Sequence, residues 1–407
     1  MKQFSAIAQT FILTSFSVLS LFAVPVQAAS FKGLGFLDSN NQYKSSYVNG
    51  VSANGSVIVG GSRNSNGRDE AFLWTQEGGM VGLSFFDGRN SVASGVSADG
   101  SIIVGGSSNG ISIKAFRWTQ ESGMVELGSF DGFNTMSGAN AVSADGSIIV
   151  GVGINANGDS EAFRWTEESG MVGLGFLPLS SCLPPDSSCN SYPLRSGAYG
   201  ISADGSIVIG ENFIGSGYVP VLWTHEGGIS SLDEGASYGN ALGISANGSV
   251  IVGGYSKAFR WTQSSGMVLL DDYAKTDEWS YARGVSADSS IIVGSSNVLH
   301  GTSGPMEAFL WTQETGMVSL KETLIGAGLD VRGWSLFSAQ AISADGFTIV
   351  GNGRNPSGQY EAWVANVSPE PVPEPLTIFG SMAAIGFAAG FERKFNKNKS
   401  DEKDPEA

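Results

Sequence analysis

The segment GVSADGSIIVGG, Gly95 to Gly106, is one of seven near-copies in this chain. A sevenfold repeat constrains the fold more than any other feature here. The other copies are GVSANGSVIVGG from Gly50, AVSADGSIIVG from Ala141, GISADGSIVIG from Gly200, GISANGSVIVGG from Gly243, GVSADSSIIVG from Gly284 and AISADGFTIVG from Ala341. Each reads as the end of a strand, a tight turn and a run of β-branched residues. The turn position alternates between Asn (Asn54, Asn247) and Asp (Asp99, Asp145, Asp204, Asp288, Asp345). These side chains share tolerance of left-handed backbone and local hydrogen bonding, but not charge. Turn geometry therefore explains the position. Calcium is the one cation left open, although a calcium loop wants several carboxylates together and each copy offers one or none.

Two further elements follow each copy. The first is AFLWT at Ala71, AFRWT at Ala115, Ala162 and Ala258, VLWT at Val221, AFLWT at Ala308 and AWVAN at Ala362. Phe and Trp lie two apart, so they share one sheet face. The second is GGMVGLS at Gly78, SGMVELG at Ser122, SGMVGLG at Ser169, GGISSLD at Gly227, SGMVLLD at Ser265 and TGMVSLK at Thr315. This element is present six times after the repeats. The seventh copy, FKGLGFLDS, stands at Phe31, ahead of the first repeat.

That offset points to a closed ring, because the early strand can complete the last unit. The repeated serines, Ser52, Ser97, Ser143, Ser202, Ser245, Ser286 and Ser343, are 41 to 59 residues apart. This spacing with four strands per unit predicts an all-β fold, a seven-bladed β-propeller of four-stranded blades. The repeats span 31–367, with cores near 47–84, 91–128, 138–175, 197–232, 239–270, 281–320 and 338–367, the last joined by 31–37. The second strand lacks polar alternation and should be buried on both faces. Trp74, Trp118, Trp165, Trp223, Trp261 and Trp311 are expected to pack between blades; the alternative is a row of sugar-stacking platforms. The variable connections fall on one rim, and a ligand is expected there. They are 63–70, 178–196, 211–219, 295–307 and 321–338.

The two ends differ from the repeats. Residues 1–28 combine Lys2, an apolar run and Val26-Gln27-Ala28, and read as a secretory signal peptide. A Pro-rich linker, 368–375, precedes an apolar segment, 376–391, read as a transmembrane stop, and a charged tail, 392–407, read as cytoplasmic. Cys182 and Cys189 are the two cysteines, and in an oxidising compartment they can form a local disulfide.

Catalysis finds little support. His225 occupies a tight-turn position, His300 a variable loop, and no metal-ligand spacing or nucleophile elbow is present. A pair of rim carboxylates for sugar cleavage stays open. The net charge of −16 argues against nucleic acid.

The repeated GVSADGSIIVGG, AFRWT and GMVGLG resemble the HAF-repeat extracellular proteins of bacteria. The family's His-Ala-Phe is here Glu70, Glu161 and Glu307, or Lys114 and Lys257, before the Ala-Phe. Val372-Pro373-Glu374-Pro375, the apolar run and Arg393-Lys394 resemble the PEP-CTERM sorting signal. That resemblance implies an exosortase-type enzyme as partner, recognising Pro373, Glu374 and Pro375, with Arg393 and Lys394 closing the signal. It also implies a transient inner-membrane anchor and an extracellular or cell-surface destination among exopolysaccharide. The expected function is a non-catalytic, cofactor-free binder of an extracellular polysaccharide or a surface protein through the variable-loop rim. The alternatives are a secreted carbohydrate-active enzyme and a structural coat protein.

Overall fold

The chain forms seven four-stranded antiparallel sheets, each wound outward from an inner strand. This computed structural model describes residues 29–367 except 41, 86–88, 131–135, 179–193, 216, 234–238, 271–278 and 298–304. In blade 1 the strands are Ser46–Val51, Ile58–Arg63, Asp69–Thr75 and Gly79–Gly82, from the axis outward. Blades 2 to 6 repeat this order. Blade 7 holds Ser335–Ile342, Thr348–Arg354 and Tyr360–Asn366, and its outer strand is Ser30–Gly33. Ser30 pairs with Asn366 and Gly33 with Trp363. The fold is thus the expected seven-bladed propeller, closed by the strand that precedes the first repeat.

The hydrophobic core is divided into seven clusters, one at each blade interface. Between blades 7 and 1, Leu34, Val350 and Ala362 meet Val48, Ile58, Phe72 and Trp74. Between blades 2 and 3, Val104 and Ala115 meet Ile149, Phe163 and Trp165. The Phe and Trp of each third strand therefore face the preceding blade, as their two-residue spacing requires. Both faces of each second strand are covered: Ile58 and Val59, Ile103 and Val104, and Ile149 and Val150 are all fully buried.

Every inner strand carries a bulge just before its turn, as between Val48 and Gly50 or Ala282 and Gly284. The bulge pushes one inner-strand carbonyl onto the glycine of the IIVG run. A Cβ on Gly105 would lie 2.0 Å from Val92 O, and one on Gly294 1.9 Å from Tyr281 O. The repeated glycine is required by this approach.

The turns lock the ring. In blade 3, Asp145 Oδ1 accepts from Ser143 Oγ, from Ser147 Oγ and from the Ser147 amide. Asn54 does the same in blade 1, so turn geometry accounts for both residue types. The alanine between Ser and Asp reaches the next blade. Ala53 N–H donates to Ala98 O, Ala98 to Ala144, Ala144 to Ala203 and Ala203 to Ala246. Ala287 donates to Ala344, and Ala344 back to Ala53. A second tie runs through the start of the inner strand. Ser91 Oγ accepts from Ala71 N–H of blade 1 and donates to Ser84 O.

The fold departs from a purely β reading at Leu320–Gly326, a short helix in the 321–338 insertion. Ser319 caps it, and Leu320 and Leu324, one turn apart, fill the interface between blades 6 and 7.

Candidate functional site

The inner strands touch one another around the ring, that of blade 7 meeting that of blade 1, so they line the axis. The seven bulge positions on this wall are Asn49, Ser94, Asn140, Tyr199, Leu242, Arg283 and Gln340. They form a variable column inside an otherwise uniform repeat. Two of them bind the next blade: Asn49 Nδ2 donates to Ala93 O and Asn140 Nδ2 to Ala198 O, both at 2.8 Å. Gln340 Nε2 donates to Ser338 Oγ at 3.0 Å. Tyr199 Oη donates to Glu211 Oε1 at 2.6 Å.

Blade 6 differs in chemistry. Along its inner strand, Ser280 and Ala282 are buried, while Trp279, Tyr281 and Arg283 share the opposite face. Trp279 is 41% exposed, and its backbone N–H is held by Asn297 Oδ1 at 2.7 Å. The Arg283 guanidinium sits 5.2 Å from the centroid of the Tyr281 ring. In blade 7 the Phe337 and Tyr360 rings stack 6.0 Å apart at 29°, with Tyr360 near Arg283. Tyr360 is also 41% exposed. Burial pushes its phenol up, and the nearby Arg283 cation acts in the other direction. Tyr281 and Phe337 lie near the starts of inner strands, and Tyr360 follows the turn between second and third strands. The cluster thus stands at the channel mouth on the rim of variable connections.

The electrostatics of this mouth are unusual. Arg283 Nε is buried and has no hydrogen-bond partner. Burial holds the guanidinium below its ordinary value. A cation over an aromatic face gains about 0.5–2 kcal/mol, whereas taking a charge out of water costs several. Arg283 is half-buried, and Tyr281 leaves its buried Nε without an acceptor.

Among the described residues, much of the remaining rim is occupied by its own contacts. In 63–70, Asn64 Oδ1 accepts the amides of Asn66 and Arg68, and its Nδ2 donates to Glu70 Oε2. Glu70 Oε1 accepts the Ser84 amide, so this residue ties a turn to the exit of the outer strand. Glu161 and Glu361 repeat the arrangement with Asn155 and Gly175, and with Asn355 and Gly35. The Glu before Ala-Phe is thus a structural tie. Ile214 N–H donates to Gly217 O within 211–219, and 321–338 holds the helix. Glu211 is the rim carboxylate that burial pushes up, and among the described residues it bonds Tyr199 rather than a second carboxylate.

The opposite rim carries grooves between blades. One of about 760 Å³ is lined by Leu222, Arg260, Trp261 and Asp288, and one of about 560 Å³ by Arg117, Arg164 and Trp165. Their tryptophans belong to the interface cores. His225 is exposed in its tight turn. Among the described residues no three His, Cys, Asp or Glu side chains gather as a metal site would need. No described helix is long and apolar enough to cross a membrane. Cys182, Cys189, His300, Pro373, Glu374, Pro375, Arg393 and Lys394 lie outside the described residues, as do 1–28 and 368–407.

No family model matches this chain, and no curated protein does. Solved structures match in fold. An oligogalacturonate lyase from Vibrio parahaemolyticus is 11% identical with a TM-score of 0.53, covering 84% of this chain and 98% of that one. The β-propeller domain of the trilobed protease from Pyrococcus furiosus, described as having an open velcro topology, is 10% identical with a TM-score of 0.52. The match covers 79% of this chain and 95% of that one. TolB from Acinetobacter baumannii is 13% identical with a TM-score of 0.42; the match covers 78% of this chain and 65% of that protein's length. At such identities the likeness shows a propeller and nothing finer, since one fold serves many functions.

Proposed function

We propose that this chain is an exported, non-catalytic propeller that binds an extracellular glycan at the channel mouth between blades 6 and 7. The observation that carries this reading is the Arg283 guanidinium, which lies over the Tyr281 ring and near Tyr360, with half-exposed Trp279 in blade 6 and the stacked Phe337 and Tyr360 rings in blade 7. Flat, half-exposed aromatic faces beside a polar group suit a ring with one apolar face and a hydroxylated edge. The rim is the one on which variable connections were expected to gather a ligand. Export through 1–28, sorting at Pro373-Glu374-Pro375 by an exosortase-type enzyme and a surface destination complete the proposal. They rest on the resemblance of the two ends to known signals.

The test is calorimetric titration of the full chain with extracellular polysaccharides, followed by Trp279→Ala and Tyr360→Ala. Both side chains are 41% exposed, so the variants should keep the wild-type melting temperature. Each should weaken glycan binding about threefold to tenfold. Unaltered affinity in both variants would move the site elsewhere. Binding of a surface protein in place of every glycan would replace the ligand class, and depolymerised sugar would replace the non-catalytic reading.

A further inference from the structure

We infer that the glycan bound at this mouth is acidic and that Arg283 receives its carboxylate. The inference rests on the glycan reading above and narrows it to one substrate class.

Three observations carry it. Arg283 is the one charged residue among the seven bulge positions of the channel wall. Its neighbours in that column are already engaged: Asn49, Asn140 and Gln340 through their amides, Tyr199 through its hydroxyl. Arg283 has no such bond, and its Nε is buried without an acceptor. Among the described residues no carboxylate pairs with it, although other cations are paired, such as Arg63 with Asp69 and Lys114 with Glu126. The face of Tyr281 attracts the positive charge but accepts none of the in-plane N–H bonds.

A planar guanidinium backed by the Tyr281 ring matches a carboxylate bidentately through its two terminal nitrogens. The aromatic walls then lie where the sugar ring carrying that carboxylate would pack. The anion would remove the cost of the unpaired cation, so its affinity comes from the free protein's own deficit. The chain is acidic overall, at −16, and so repels an acidic polymer at long range. Added salt screens that repulsion more than it screens a partly buried pair. Binding should therefore persist at raised ionic strength, unlike attraction to a diffuse basic surface.

The experiment titrates the full chain with polygalacturonate and with neutral dextran of matched length, at low and at physiological salt. Wild type should prefer polygalacturonate at both salt concentrations. Arg283→Gln should bind it about tenfold to a hundredfold more weakly, a much larger loss than for dextran. Arg283→Lys, which keeps charge without the fork, should fall between. Free galacturonate should displace the polymer at concentrations where inorganic sulfate does not. Equal binding of both polymers, with no effect of Arg283→Gln, overturns this inference and leaves the glycan reading standing. Equal displacement by sulfate overturns the sugar carboxylate as the group recognised. Binding of neither polymer removes the glycan reading itself, and this inference with it. Should Arg283→Gln fail to fold, the preference and displacement measured on wild type decide the matter.

Discussion

Pro220 in blade 4 and Gly239 in blade 5 are matched absences. At the position of Pro220 in five of the other six blades stands an alanine whose N–H donates to a serine of the next blade; in blade 6 the alanine is Ala308, and Leu336 takes the serine's place. The pairs are Ala71 with Ser91, Ala115 with Ser137, Ala162 with Ser196, Ala258 with Ser280 and Ala362 with Ser46. Pro220 has no N–H to give, and Gly239 stands where the serine would be. Both sites are buried. Pro220→Ala should expose an unsatisfied buried donor and cost about 1–3 kcal/mol. Adding Gly239→Ser should recover part of that loss. A double-mutant cycle by chemical denaturation reads the coupling, and strict additivity would break the link between the two positions.

Ser289 takes the place that Gly55, Gly100, Gly146, Gly205, Gly248 and Gly346 hold in the other turns. It has the same left-handed backbone, φ 65°, with a side chain that disfavours it. Ser289→Gly should stabilise the protein by about 1 kcal/mol, measured as a raised denaturation midpoint. Gly100→Ala should do the reverse, because its Cβ would meet Val57 Cγ2 at 2.5 Å across the blade interface.

The closing strand should contribute stability out of proportion to its length. Leu34 is buried in the cluster between blades 7 and 1, and Phe31 packs edge-on against Trp334 with ring centroids 5.2 Å apart. Leu34→Ala is expected to cost about 2–4 kcal/mol. Removing 29–37 should lower the melting temperature further, since it also leaves the strand Tyr360–Asn366 as an open edge. An unchanged melting curve after that deletion would count against closure as the source of stability.

Acid should act first through the turns. The Ser143 hydroxyl, the Ser147 amide and the Ser147 hydroxyl hold Asp145 at about 2, below its ordinary value. Asp204 and Asp288 are lowered likewise, chiefly by Ser202 and Ser286, and Asp99 chiefly by the Ser101 amide. A depressed folded value means stability that is fully present above the unfolded pKa, about 3.9, and lost as pH falls through the folded one. Asp145→Asn should therefore flatten the decline in stability between about pH 4 and pH 2 while leaving neutral stability nearly unchanged. Thermal melts across that range check it. Glu211 has the opposite sign, because burial raises its carboxyl. Its contribution is present at low pH and fades as pH rises through the raised value.

The architecture was legible because repetition reports what every blade needs. Phe116 and Trp118 had to share a face, Ile103 and Val104 had to be buried together, and the stray FKGLG strand had to find a partner. The ties between blades were harder to see. Ser91 and Glu70 recur in the sequence, but a serine in a strand and a glutamate beside a turn look like ordinary surface residues until their acceptors are in place. The channel mouth was hidden for a different reason. Arg283 and Tyr360 belong to different blades and meet only when the ring forms. Their signal is a departure from the repeat: the residue before the GVS-type triplet is Asn, Ser, Tyr, Leu, Arg or Gln in different copies while its neighbours hardly change. What is common to all blades builds the scaffold, so recognition has to reside in what is not.

The register of the closing strand also decides how the ring responds to tension. Ser30 lies opposite Asn366, so the two ends of the propeller leave from the same end of one ladder. A pull applied between them loads the Ser30–Asn366 pair first and opens the others in turn, like a zipper, instead of shearing all four at once. Heat must break a ring that has no free end. A tether drawn from both ends needs to part only one pair at a time.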